Sequence, residues 1–314
     1  MAFKHELSWS VSRSGTYAGC PRSYYYNYYL SWLGWKWDAP QERQLAYRLK
    51  KLTRLPMWAG DCLHDALAAW FGERRSGRER GADWVRDRAL SELRRGFRES
   101  RDRGADWQRR PSKVTRLAEH YYGESSVDES GDNAKDYGTR FVERIESGVE
   151  TFFGAAELER VRSVDPSQYL ACEELGTIEL FDTKVFAIPD FAFRDDDGTV
   201  WIYDWKTGSP REQDLFQLTM YVHYAQAVWD VDPDAVVCVD AYLPRSEFVE
   251  RRFDAAEREA ALERTQQSIE AMRQVHFDAD EGIGDAEDFP LIPADSPESR
   301  SCAQCGFREL CGRA

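Results

Sequence analysis

Two aspartates and a lysine stand where a hairpin would gather them. Residues 185–208 read VFAIPDFAFRDDDGTVWIYDWKTG. Strand alternation over 199–206 puts Asp204 and Lys206 on one face with Val200 and Ile202. Charges on an apolar face indicate a half-buried site rather than a solvated surface. Asp196-Asp197-Gly198 predicts a three-residue hairpin loop with Gly198 in the left-handed position. Asp195 and Thr199 then flank the turn, and counting back sets Asp190 opposite Asp204. Opposed Cβ atoms lie about 4.5–5.5 Å apart. Two carboxylates that close repel unless a cation lies between them or one takes up a proton. Oxygen donors on a rigid hairpin suit Mg²⁺ or Mn²⁺. Lys206 could orient a water or steady charge on a phosphate. Taken alone, these residues are also compatible with an acidic hairpin closed by an ordinary Asp–Lys salt bridge.

A second constellation uses sulfur. Of seven cysteines, Cys62, Cys172 and Cys238 stand among apolar neighbours. Cys302, Cys305 and Cys311 cluster near the C-terminus, and Cys20 precedes a proline near the N-terminus. Three clustered thiols suit ligation of zinc or an iron–sulfur cluster and need a fourth ligand. Cys20, in a sharp Cys-Pro turn, is the best candidate. Spacing alone leaves zinc, an iron–sulfur cluster and free thiols open.

The elements that must position these groups are legible in outline. Leu63, Ala66, Leu67 and Trp70 recur at helical spacing within 58–71. Residues 73–116 lack an internal proline before Pro111 and are rich in Arg, Glu, Ala and Leu, which predicts helix. The echo RERGADW at 78–84 and RDRGADW at 101–107 marks two helix–loop boundaries of similar design. Helix is expected again over 134–162. Strand character follows at 168–174, 177–194 and 199–206, then helix over 212–229. Strands at 235–243 and 247–253 and a charged helix over 254–275 complete the chain. The fold class is α/β, a mixed-sheet core flanked by helices with a helical insertion.

Pro189-Asp190 followed by Asp204-Trp205-Lys206 resembles the PD-(D/E)xK nuclease signature. Gly60-Asp61-Cys62-Leu63-His64 is similar to the G-x-x-x-H motif of its RecB-like branch, and Gln217-Leu218-Thr219-Met220-Tyr221 to its Q-x-x-x-Y motif. Glu173 or Glu174 ends a strand where that branch often has a glutamate near the metals, and alternation does not choose between them. Many relatives have a glycine shortly before the first Asp, where this chain reads Ala187-Ile188-Pro189. The cysteine set resembles the iron–sulfur staple of AddB-type nucleases and CRISPR-associated RecB-like exonucleases, and Cys20-Pro21-Arg22-Ser23-Tyr24 resembles their pattern at the first ligand. The resemblance covers Cys20 to Cys311.

The resemblance implies a restriction-endonuclease-like core and a single-strand DNA exonuclease dependent on Mg²⁺ or Mn²⁺. It implies metal ligation by His64, Asp190, Asp204 and Glu173 or Glu174. Lys206 would position the nucleophile, Gln217 would support Lys206 or the water, and Tyr221 would contact the DNA strand. Cys20, Cys302, Cys305 and Cys311 would hold a 4Fe-4S cluster, with zinc the other occupant. The implied organisation is residues 1–72 with the first Cys and the His motif, an Arg-rich insertion at 73–160, a nuclease core at 161–275, and an acidic loop with the Cys cluster at 276–314. No GxxxxGK phosphate loop is present, so no helicase engine is expected in this chain. Two other classes remain. One is a nuclease subunit active only with a partner helicase or CRISPR integrase, and the other is a non-catalytic DNA-end binding module. Repair, CRISPR spacer acquisition, phage replication and defence would all use the chemistry, and homo-oligomerisation is left open.

Composition frames these readings. The chain has 314 residues, of which 42% are hydrophobic, enough for a core and against global disorder. No apolar leader segment stands at the N-terminus, and the charge-free stretch 215–229 falls short of the ~20 apolar residues a bilayer span needs. A cytoplasmic location and reduced cysteines are therefore expected. Eight lysines, 34 arginines and a net charge of −14 fit a halophile or a GC-rich genome. The charge is uneven: 73–116 carries 15 basic and 8 acidic residues, while 254–300 carries 4 basic and 13 acidic. The first segment is thus the candidate for meeting phosphates and the second for repelling them. The aromatic run Tyr24, Tyr25, Tyr26, Tyr28, Tyr29, Trp32, Trp35 and Trp37 is expected mainly to pack, with base stacking the alternative.

Overall fold

The computed structural model describes residues 4–127, 133–278 and 284–313. Part of the expected acidic loop, 279–283, lies outside them. In chain order the elements are β1 (Ser8–Trp9), α1 (Val11–Gly19), α2 (Pro21–Tyr25), α3 (Gln41–Lys50), α4 (Leu55–Arg75), α5 (Ala82–Asp102), α6 (Gly104–Arg109), α7 (Ala118–Tyr121), α8 (Asn133–Gly154), α9 (Glu159–Ser163), β2 (Tyr169–Cys172), β3 (Gly176–Leu180), β4 (Thr183–Ala187), β5 (Phe191–Arg194), β6 (Val200–Lys206), α10 (Glu212–Trp229), β7 (Val236–Tyr242), β8 (Glu247–Arg251) and α11 (Ala255–Gln274). Both GADW echoes do start helices, α5 and α6. No helix among the described residues is long and apolar enough to cross a membrane.

The chain divides into two compact units. One comprises Met1–Leu55, Gly96–Asp128 and Gln266–Ala314, the other Pro56–Arg95 and Glu129–Thr265. This division cuts through the 73–160 segment read from sequence, because α5 contributes residues to both units.

The second unit is built on a five-stranded sheet in the order β2-β5-β6-β7-β8. All neighbours are antiparallel except β6 and β7, which run parallel. A parallel pair requires a crossover, and α10 supplies it. Every residue of β7, and all of β6 up to Trp205, is buried, so alternation does not separate an inner from an outer face there. One face carries Phe191, Phe193, Tyr203 and Trp205. Phe71 of α4 stacks on Phe191 with ring centroids 3.9 Å apart, and Phe152 of α8 meets Trp205 edge-on at 5.6 Å. The opposite face carries Val200, Ile202, Asp204 and Cys238 against α10, where the Cys238 thiol meets the Leu218 carbonyl oxygen at 3.5 Å.

The single strand expected over 177–194 is three strands. Phe181 and Asp182 both adopt φ of 53°, the left-handed region, and turn β3 back onto β4. Such two-residue turns favour Gly or Asn, and their absence hid the turn. The 195–199 turn has the expected form: Asp195 N–H donates to Thr199 O at 2.8 Å, and Gly198 has φ of 89°.

The first unit is helical. Its core gathers buried Tyr24, Tyr25, Tyr29 and Phe289, with Tyr29 also packed on Phe277 at 4.4 Å. The aromatic run therefore packs through its tyrosines, while Trp37 stands 92% exposed. Arg54 and Glu124 form a paired ion contact at 3.0 and 2.7 Å.

Candidate active site

The site is assembled at one end of the sheet in the second unit. The β5–β6 register pairs Phe191 with Tyr203, and one further step brings Asp190 beside Asp204, as the turn arithmetic requires. Asp190 is 8% and Asp204 3% exposed. Asp190 Oδ2 accepts the backbone N–H of Trp205 at 2.6 Å, which fixes the carboxylate across the strand ends.

α4 brings His64 to this pair. A Cβ at Gly60 would lie 3.0 Å from Thr207 Oγ1, just beyond Lys206. The glycine one turn before His64 thus allows the helix to approach the end of β6. His64 Nδ1 lies 3.4 Å from both Asp190 Oδ1 and Glu173 Oε1. Glu173 has φ of 54°, a left-handed conformation costly for a side-chain-bearing residue and typical of functional positions. Its N–H donates to Asp190 O at 3.1 Å, extending the β2–β5 ladder by one rung. Glu174 points elsewhere and pairs with Arg75 at 3.1 Å. Between the two glutamates, Glu173 is the one that faces the site.

His64, Glu173 and Asp190 each offer a ligand atom within 4.8 Å of the others. One neutral-capable imidazole and two carboxylates form a donor set suited to a hard or borderline divalent ion. Asp204 stands apart from this trio. Its Oδ2 is 2.5 Å from Lys206 Nζ, and its Oδ1 is 2.8 Å from the Tyr221 hydroxyl.

α10 closes the network. Lys206 Nζ donates to Gln217 Oε1 at 2.9 Å, and Gln217 Nε2 donates to the Tyr221 oxygen at 2.7 Å. Gln217 and Tyr221 lie one turn apart on the same helix face. The Tyr221 proton is shared between Asp204 Oδ1 and the Ile188 carbonyl at 2.9 Å. Tyr221 is only 2% exposed. Its hydroxyl is buried at the sheet end, where it orients Asp204.

Two further acids were not found from sequence. Asp214 accepts the Arg211 N–H and the Tyr242 hydroxyl, both at 2.9 Å, and lies 3.8 Å from Lys206 Nζ. Asp240 pairs in register with Asp204 across β6 and β7 and lies 3.9 Å from Lys206 Nζ. The signal for Asp240 was present: a lone charge inside the apolar run AVVCVDAYL.

Protonation follows the crowding. Burial pulls the His64 imidazole down, but the charges and hydrogen bonds of Asp190 and Glu173 outweigh it and leave it well above its ordinary value. Burial, opposed by His64 and reinforced by Asp204, pushes the Asp190 carboxyl up to about 6. Burial, only partly offset by Lys206, pushes Asp240 up to about 7. Burial lowers Lys206, yet the Asp204, Asp240 and Asp214 charges raise it overall.

In the first unit, Cys20, Cys302, Cys305 and Cys311 line one small cleft together with Leu291, Ile292 and Phe307. None of the four is in a disulfide. Cys20 caps α2, its sulfur accepting the Ser23 N–H at 3.4 Å. Cys305 Sγ accepts the Phe307 N–H at 3.4 Å, and Cys302 Sγ accepts from Arg313 at 2.9 Å. Burial nevertheless pushes the Cys305 and Cys311 thiols up, outweighing the Phe307 N–H and the Tyr26 hydroxyl.

The Arg-rich segment is less free than its net charge implies. Arg95 pairs with Glu92, Arg103 with Glu99 and Asp106, and Arg109 with Asp106, each three or four residues away. These pairs neutralise part of the local excess.

A family model for the PD-(D/E)XK nuclease superfamily matches residues 8–312. No curated protein matches the chain.

Proposed function

The chain belongs to the PD-(D/E)XK nuclease superfamily, and we propose that it is a metal-dependent RecB-like deoxyribonuclease acting as an exonuclease on single-stranded DNA with a free end. The observation that carries this reading is the meeting of His64, Glu173 and Asp190 ligand atoms within 4.8 Å, beside the Asp204–Lys206 pair. An imidazole and carboxylates gathered this closely offer a donor set for a divalent cation, so His64, Glu173, Asp190 and Asp204 would hold Mg²⁺ or Mn²⁺. When bound, the ion supplies Lewis acidity toward the phosphodiester and lowers the pKa of a water. Lys206 offers an ammonium that orients the attacking water and stabilises charge developing on the phosphate. Gln217 fixes the direction of that ammonium, and Tyr221 fixes Asp204. Exposed arginines of the α5 region would meet the DNA backbone.

Cys20, Cys302, Cys305 and Cys311 would hold a 4Fe-4S cluster. The four thiols facing one cleft support this reading, with zinc the other occupant the same ligands would take. The role is a staple between the N- and C-terminal segments, not a step in hydrolysis.

The test is digestion of end-labelled single-stranded DNA by anaerobically purified protein with Mg²⁺ or Mn²⁺ at low salt, beside Lys206→Ala. Cutting by the wild type alone is expected. No cutting by either, with the protein folded, overturns a stand-alone nuclease. The net charge of −14 would then favour a subunit that needs a helicase or integrase to deliver DNA.

A further inference from the structure

Lys206 has three N–H donors, and its surroundings hold more negative charge than one ammonium can pair. Asp204 lies at 2.5 Å, Asp214 at 3.8 Å and Asp240 at 3.9 Å. Asp204 and Asp214 each have other work, the first with Tyr221, the second as the α10 cap and the acceptor for Tyr242. Asp240 has none. It is 1% exposed, and neither of its carboxylate oxygens has a hydrogen-bond partner. A buried carboxylate without hydrogen bonds costs several kcal/mol, in a strand otherwise made of Val, Cys, Ala and Tyr. Packing alone would be served better by an apolar residue.

The cost makes sense from the position of Lys206. Asp204 cannot serve fully both as an ion ligand and as the counter-charge of Lys206. With the Asp204 oxygens engaged elsewhere, the ammonium would keep the neutral Gln217 Oε1 as acceptor and need another negative charge to hold it in place. Asp240 stands beside Asp204 in register, on the neighbouring strand β7. We propose that Asp240 is a positioning residue for the nuclease reaction: its unpaired charge anchors the Lys206 ammonium from inside the sheet while Asp204 is otherwise engaged. The proposal rests on the nuclease reading above for its kinetic consequence but not for its structural one.

The test uses the full chain with Asp240→Asn and Asp240→Ala. The first readout is steady-state digestion of single-stranded DNA in Mg²⁺. A fall in kcat of tenfold or more in both variants, with KM within about twofold of wild type, is expected. Full activity of Asp240→Asn overturns the proposal, since shape without charge would then suffice. The second readout is NMR of the lysine ε-methylene groups. The chain has only eight lysines, and the Lys206 signal is assigned by its loss in Lys206→Met. In Asp240→Asn that signal is expected to shift and sharpen as the ammonium gains freedom. An unchanged signal overturns the proposal. If the wild type proves inactive, the nuclease reading fails and the NMR result alone decides the anchoring role.

Discussion

The Tyr221 hydroxyl lies 2.8 Å from Asp204 Oδ1 beneath the end of the sheet, so a helix side chain sets the direction of a strand carboxylate. Tyr221→Phe keeps the ring and removes the hydroxyl, and with it the contacts to Asp204, Gln217 and the Ile188 carbonyl. The protein should lose about 1 kcal/mol of stability. Activity should fall about 10–100-fold, the usual cost of losing a partner of a ligating group. DNA binding, measured by fluorescence anisotropy, should be unchanged because the hydroxyl is buried. Weakened binding with intact kcat would support the DNA-contact role expected from sequence.

Lys206→Met leaves Asp204, Asp214 and Asp240 facing one another without a counter-charge. Breaking a buried ion network by removing one partner typically costs about 3–5 kcal/mol. Thermal unfolding in EDTA should show a large loss, and Mg²⁺ should restore part of it by binding the folded state. Activity should fall at least about 10²-fold at temperatures where the variant is folded. Retained activity would remove Lys206 from the chemistry.

Metal uptake should release a proton. Asp190 and Glu173 hold the His64 imidazole well above its ordinary value, and a ligating imidazole must be neutral. Apparent Mn²⁺ affinity should therefore strengthen as pH rises, by up to about tenfold per unit while one proton is displaced. Titration calorimetry in two buffers of different ionisation enthalpy measures the proton count. His64→Ala and Glu173→Gln should weaken binding, and Glu174→Gln should not. A pH-independent affinity would contradict His64 as a ligand.

Asp240 gives stability a pH dependence of known sign. Its folded pKa, about 7, lies above its ordinary value of 3.8, so folding takes up a proton between these values. Wild-type stability therefore declines relative to Asp240→Asn as pH rises through that window, and the gap is constant above it. In EDTA the two proteins should melt together near pH 4. Asp240→Asn should be the more stable by at least about 2 °C at pH 8. A variant less stable at pH 8 would show that the carboxylate is satisfied in the fold.

Removal of the thiol-bound group should loosen the helical unit. Anaerobically purified protein should be brown and contain iron and sulfide. Cys305→Ser should lose the colour and unfold at lower temperature, because binding free energy of such a group is folding free energy. A colourless protein carrying one zinc would assign the same four cysteines to zinc.

Much of the site was legible in the residues. The turn at 196–198 set the Asp190–Asp204 register because hairpin length and left-handed glycine leave one arithmetic. The Q-x-x-x-Y and G-x-x-x-H resemblances singled out Gln217 with Tyr221 and Gly60 with His64, pairs four residues apart that a helix sets on one face. These are local relations, carried by backbone geometry within a few residues. What the tertiary structure decided is which partners those residues meet. Glu173 rather than Glu174 faces His64 because its left-handed backbone breaks the alternation that left both open. Tyr221 is buried and meets Asp204, since α10 packs against the sheet that carries it. Asp240 entered the site only through parallel pairing of β6 with β7, strands separated by a whole helix. Sequence determined the chemistry available to this protein; long-range strand pairing, with no local pattern to announce it, decided which charges share the lysine.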